Sequence, residues 1–178
     1  MNDQITTCLW FDYQAEEAAN FYISVFKNSK INSVSRFGKE GFEIHGKKEG
    51  SAMTVSFEIN GQAFIALNGG PLFKFTEAIS FQVFCETQEE IDNYWTKLTE
   101  NGGQESQCGW LKDKFGVSWQ IIPSILPKLM SDPARAGMRQ SHGVAESIDD
   151  GVDLCRQPAA RSADGLILAN FFWAPALC

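Results

Sequence analysis

The chain has 178 residues, 44% hydrophobic and 21% charged, a globular rather than a disordered balance that suits one well-buried domain or two small fused modules. A formal net charge of −7 sets a field that repels nucleic acid and anionic lipid, so no nucleic-acid partner is expected. No stretch reaches the roughly 18 apolar residues of a membrane span, and no membrane association is expected.

The opening "MNDQITTCLWFDYQ" lacks the basic segment and long apolar core of a secretion signal, so a cytoplasmic location is expected. Residues 5–11, "ITTCLWF", are β-branched and aromatic and read as a strand. "AEEAANFYISVF" then places Ala18, Phe21, Tyr22 and Val25 at helical spacing, with Glu16 and Glu17 in the favourable first turn. "KINSVSRF" (30–37) reads as a second strand, and the Gly- and charge-rich stretch 38–50 as a mobile loop. "AMTVSFEI" (52–59) alternates cleanly, Asn60-Gly61 signals a hairpin, and "QAFIALN" (62–68) is the return strand.

The order then restarts. "AISFQVFC" (78–85) reads as a strand and "TQEEIDNYWTKLTENGG" as a helix, with Thr87 as cap, Glu90 completing a capping box and a glycine stop at 102–103. "GWLKDKF" and "VSWQII" read as a hairpin around Gly116. At a shift of 73 residues "AEEAANFY" (15–22) falls on "QEEIDNYW" (88–95), and at a shift of 55 "GQAFIAL" (61–67) falls on "GVSWQII" (116–122). The pattern is an internal β-α-β-β-β repeat.

Beyond Lys128 the composition changes. Residues 1–128 hold ten lysines and one arginine, whereas 129–178 hold four arginines and no lysine. The expected organisation is therefore one domain over residues 1–130, with modules at about 4–70 and 76–125, and an atypical extension at 131–178. The extension ends in the apolar "LILANFFWAPALC"; as a whole it reads as an appendage that docks on the body, exchanges between subunits, is a poorly specified tail, or is a read-through or frameshifted terminus. Cysteines 8, 85, 108, 155 and 178 include no C-x-x-C spacing and read as reduced thiols.

Three stretches carry a family resemblance: "CLWFDYQAEEAANFY" (8–22), "FIALNGGPLFKFTEAISFQVFC" (64–85) and "CGWLKDKFGVSWQIIP" (108–123). With the repeat they cover about residues 4–130. The chain resembles the vicinal oxygen chelate (glyoxalase/bleomycin resistance/dioxygenase) superfamily, and within it the PhnB-like, demethylubiquinone methyltransferase-like group. The resemblance implies an α+β fold of two β-α-β-β-β modules, a cupped mixed sheet with helices outside and a ligand cleft between the modules. It also implies a homodimer. In metal-using members four His or Glu ligands line the cleft. Carried over by register, their places fall on Thr7, Ile65 or Ala66, Ser80 and Gln120. Hydroxyls, an aliphatic group and a neutral amide are poor donors for a divalent transition metal, so no metal and no cofactor are expected.

If Thr7, Ser80 and Gln120 face the cleft, strand alternation sends Leu9, Phe11, Gln82, Phe84, Ser118 and Ile122 the same way. Trp10, Phe81, Val83 and Trp119 would then pack under the helices. The expected ligand-binding residues are Thr7, Phe11, Ser80, Gln82, Ser118 and Gln120, in a cleft without charge. Apolar walls with a few convergent polar atoms suit a small molecule, an aromatic one included. The alternative that these groups satisfy one another stays open. Cys108 has no neighbouring base in sequence and reads as an inert thiol; His45 reads as a solvated loop residue. Two functions remain: a metal-free small-molecule-binding protein, or a lyase, isomerase or dioxygenase using an offset metal or neutral groups. The methyltransferase label gains no support, since no strand leads through a glycine-rich loop into a helix.

Overall fold

The computed structural model describes residues 5–40 and 42–131. Residues 132–178, almost all of the expected extension, and His142 within it lie outside them, as do the side chains of Ile44 and His45. The described residues fall into two compact units divided between Thr76 and Glu77.

The first unit runs β1 (Thr7–Phe11), α1 (Ala15–Val25), β2 (Lys30–Arg36), α2 (Phe42–His45), β3 (Ala52–Ile59) and β4 (Gln62–Asn68). Its sheet order is β1-β4-β3-β2, with β1 parallel to β4 and the other pairs antiparallel. The β3–β4 hairpin turns at Asn60-Gly61, both with positive φ, as a two-residue turn matched to strand twist requires. The one-turn helix α2 sits within the stretch 38–50 that was expected as a loop, and the other described residues of that stretch form no helix or strand.

The second unit repeats the order: β5 (Ser80–Cys85), α3 (Gln88–Thr99), β6 (Gln104–Glu105), β7 (Trp110–Lys112), β8 (Ser118–Pro123) and α4 (Leu126–Ser131). Its order β5-β8-β7-β6 reproduces the first sheet, again with the outer pair β5/β8 parallel. The eight strands thus form two mixed four-stranded sheets with few helices, the α+β pattern of duplicated β-α-β-β-β modules.

In each unit one sheet face is buried against the helix. In the first, Tyr22 of α1 stacks on Phe57 of β3, which stacks on Phe64 of β4 at ring-centroid distances of 6.1 and 5.4 Å. Directly paired residues share a face. Thr7 pairs with Phe64, Leu9 with Ala66 and Phe11 with Asn68, so Thr7, Leu9 and Phe11 lie on this helix-facing side. In the second unit Trp95 of α3 donates its indole N–H to Glu105 at 2.9 Å, and Glu105 pairs with Leu111, which pairs with Trp119. Phe81, Val83 and Cys85 share that side with Trp119 and Ile121, as alternation predicts.

The helix starts are held differently. Thr87 Oγ1 accepts the Glu90 amide at 3.2 Å, while the Glu90 carboxylate reaches back to the amide of Glu86 at 2.9 Å instead of to Thr87. At α1 the cap position, Gln14, makes no side-chain bond to the helix. Buried Asn68, arriving from the end of β4, accepts the Ala15 amide through Oδ1 at 2.8 Å and donates Nδ2 to the Ala52 carbonyl at 2.9 Å. This residue therefore caps a helix 53 positions earlier in the chain.

Candidate functional site

Ser80, Gln82, Phe84, Ser118, Gln120 and Ile122 were expected on one face, and registration puts them together. Ser80 pairs with Ser118, Gln82 with Gln120 and Phe84 with Ile122. The antiparallel pairing of β7 with β8 adds Trp110 beside Gln120 and Lys112 beside Ser118. Gln120 sits at the centre of a short relay. Its Nε2 donates to Ser80 Oγ at 2.6 Å and its Oε1 accepts Gln82 Nε2 at 3.3 Å. Gln120 is half-buried and Gln82 exposed, so the relay is reachable from solvent. The groups partly satisfy one another, yet one N–H of Gln120, the Ser80 hydroxyl proton and the Gln82 carbonyl keep capacity for a ligand.

In β1 the face expected for Thr7 and Phe11 is reversed. Phe11 is 3% exposed and turned to the helix side, where Phe75 meets it edge-on at 5.2 Å, and Thr7 points the same way. Trp10 takes the open side instead, donating Nε1 to the Gly70 carbonyl at 2.8 Å and meeting Phe73 at 5.0 Å. The cause is one residue of connection. Gly69 N donates to Phe11 O and Ser124 N to Cys85 O, which makes Phe11 and Cys85 equivalent strand ends 74 residues apart. The helix starts Ala15 and Gln88 are 73 apart, because three residues follow β1 and two follow β5. A slip of one residue exchanges the two faces of a strand.

The expectation of an uncharged face is also corrected, because Lys112 shares it with Ser118. Its ammonium pairs with the Glu77 carboxylate, which that contact holds below the ordinary carboxylate range. The three-residue strand β7 gave too short a pattern to orient in the sequence; only its register with β8 shows the direction of Lys112.

The places the family would give to metal ligands do not suit a divalent metal. In the second unit Ser80 and Gln120 are neutral and bonded to each other. In the first, the open side of β1 and β4 presents Cys8 beside Ile65, a single thiol with an aliphatic neighbour. Among the described residues no group of three or more His, Cys, Asp or Glu side chains converges as metal ligands would.

Two further polar features are structural. Asp113, 2% exposed, accepts the amides of Phe115 and Val117 through Oδ1 at 2.9 and 3.1 Å and the Trp119 indole N–H through Oδ2 at 2.9 Å. It fixes the turn from β7 to β8 and, through it, the strand that carries Gln120. In the first unit a cavity of about 230 Å³ is lined by Tyr13, Glu16, Lys47 and Asn68. Its polar groups are engaged: Glu16 with Arg36, Asn68 with Ala15 and Ala52, and Lys47 over the Tyr13 ring at 3.8 Å. Cys108 is exposed in the turn before β7. No helix among the described residues is long and apolar enough to cross a membrane.

Comparison with known proteins bears on this geometry. A family model described as 3-demethylubiquinone-9 3-methyltransferase matches residues 3–122. A solved structure from Bacillus cereus, described as a putative 3-demethylubiquinone-9 3-methyltransferase, PhnB protein, is 40% identical, with 67% of this chain and 98% of that chain covered and a TM-score of 0.58. A protein from Pseudomonas aeruginosa (18% identity, 66% and 95% covered, TM-score 0.52) shares the fold. So does the fosfomycin resistance protein FosX from Mesorhizobium loti (10% identity, 74% and 99% covered, TM-score 0.51). No curated protein matches the chain.

Proposed function

The chain belongs to the family described as 3-demethylubiquinone-9 3-methyltransferase, the PhnB-like group of the glyoxalase/bleomycin-resistance type, and from that premise we propose that it is a small-molecule-binding protein without a resident metal. The ligand lies on the open face of β5, β8 and β7. The observation that carries the reading is the Gln82–Gln120–Ser80 relay, a set of neutral hydrogen-bonding groups beside the apolar Phe84, Ile122 and Trp110. Few polar atoms placed among apolar walls is the composition of a small-molecule site. The poor donor set argues against chemistry through a family-type metal. Methyl transfer is not part of the reading. The connections from β1 to α1 (Asp12–Gln14) and from β5 to α3 (Glu86–Thr87) contain no glycine, whereas a dinucleotide-type cofactor loop needs it.

A homodimer in a reducing, cytoplasmic setting belongs to the same proposal. Exposed Leu72 and Ile79 support the association, and thiols at Cys8 and Cys85 the compartment. Size-exclusion with light scattering reads the dimer directly.

The test of the binding reading is amide chemical-shift mapping against a panel of small aromatic compounds. Shifts clustered at Gln82, Trp110 and Gln120, with no substrate turnover, are expected. Binding that maps to α1 or α3, or release of a chemically changed product, overturns it.

A further inference from the structure

We infer that the ligand of this face is an amphiphilic organic anion, its acidic end held at Lys112, Ser118 and Ser80 and its apolar end at Phe84 and Ile122, with Glu77 occupying the lysine when the ligand is absent. The inference rests on the binding reading above and adds the chemical class and orientation of the ligand.

Register arranges the face in rows. Ser80, Ser118 and Lys112 form the first, Gln82, Gln120 and Trp110 the second, and Phe84 with Ile122 the third. Two residues of strand advance about 7 Å, so three rows span about 14 Å, roughly the length of a one-ring acid with a short side chain. Polarity falls in one direction along them, from charge and hydroxyl through amide to aliphatic and aromatic carbon.

The first row is the least satisfied. Ser118 is 1% exposed and its Oγ has no hydrogen-bond partner, although buried hydroxyls nearly always have one. Ser80 Oγ accepts from Gln120, which leaves its own proton to donate. Lys112 holds Glu77, a residue outside the strands whose side chain is 64% exposed. A carboxylate at this row would take two O–H donors and an ammonium, the charge-assisted set that anion sites use. Reaching Ser118 requires its neighbours to part, and an exposed ion pair is the contact with least to lose. Glu77 thus fills the place of the ligand's own carboxylate.

The test compares benzoate with its neutral isostere benzamide, titrated by chemical-shift mapping against the full chain, the Lys112→Met variant and the Glu77→Gln variant. Benzoate is expected to bind about tenfold more tightly than benzamide, a difference lost in Lys112→Met. Glu77→Gln is expected to tighten benzoate a few-fold and leave benzamide unchanged, because it removes a competitor for Lys112. Both positions are solvent-accessible, and unchanged melting of both variants separates a binding effect from a folding one. Equal binding of the two probes, insensitive to Lys112→Met, overturns the anion inference and leaves the binding reading standing. Absence of both probes from the face overturns the two together.

Discussion

The side-chain amide of Gln120 donates to the hydroxyl oxygen of Ser80 at 2.6 Å, across the parallel pair β5 and β8, so the residue in a family ligand's place is committed to a serine. Ser80→Ala removes the acceptor of a half-buried amide. A loss of about 1 kcal/mol is expected in urea unfolding. Ligand shifts at Gln120 should weaken in the same variant, because its Nε2 is no longer fixed.

Asp113 holds two backbone amides and an indole N–H from a position closed to water. Asp113→Ala leaves two buried donors and one part-buried donor without their acceptor and is expected to cost about 2–4 kcal/mol. Asp113→Asn should cost less, since its carbonyl can keep the Phe115 and Val117 amides while its NH₂ opposes the Trp119 indole. Urea midpoints of the two variants, with Trp fluorescence as the probe, order them.

Asn68 joins the end of β4 to the start of α1. Asn68→Ala is expected to destabilise by about 1–3 kcal/mol, as loss of a cap and of a buried donor together. Hydrogen exchange should rise first in α1, and the exchange of α3 should stay as it was.

Arg36 donates to both carboxylate oxygens of Glu16, at 2.7 and 3.1 Å, and these bonds hold the Glu16 carboxyl below its ordinary 4.5. A depressed carboxyl contributes stability above its unfolded-state pKa and loses it as pH falls through the lower folded value. Carboxyl-carbon NMR should therefore place the Glu16 titration below 4.5 and return it toward 4.5 in Arg36→Met. A Glu16 midpoint unmoved by Arg36→Met would show that the two side chains do not pair in solution.

Cys85 is 1% exposed, and burial, with Glu90 and Glu86 nearby, pushes its thiol up to about 12. Roughly one thiolate in ten thousand exists at pH 8 at such a value. Alkylation of native protein followed by peptide mass spectrometry should modify exposed Cys8 and Cys108 well before Cys85.

The repeat, the hairpin at Asn60-Gly61 and the open face of β5 and β8 were all legible in the sequence, because alternation and turn chemistry are local. What was not legible depended on counts across connections. Thr7 and Ser80 match at the helix offset, but the strand offset is one residue larger, so Phe11 and Trp10 exchange faces. Asn68 reads as the start of a turn because its partner Ala15 is far away in sequence. Lys112 and Asp113 are adjacent charged residues in a hairpin, and nothing local says that one shares a sheet face with Ser118 while the other is buried and holds the Trp119 indole N–H.

The backbone of Gly69 runs against the ring of Trp10 so closely that a Cβ there would lie 2.1 Å from Cζ2. The two positions are therefore genetically coupled. Gly69→Ala alone should be lost from any pool selected for folding, and it should reappear only together with a smaller residue at position 10. In such a pool the tryptophan acts as the gatekeeper of substitutions 59 residues downstream, and deep mutational scanning of the pair would show a permitted double change reached through two forbidden or weakened singles.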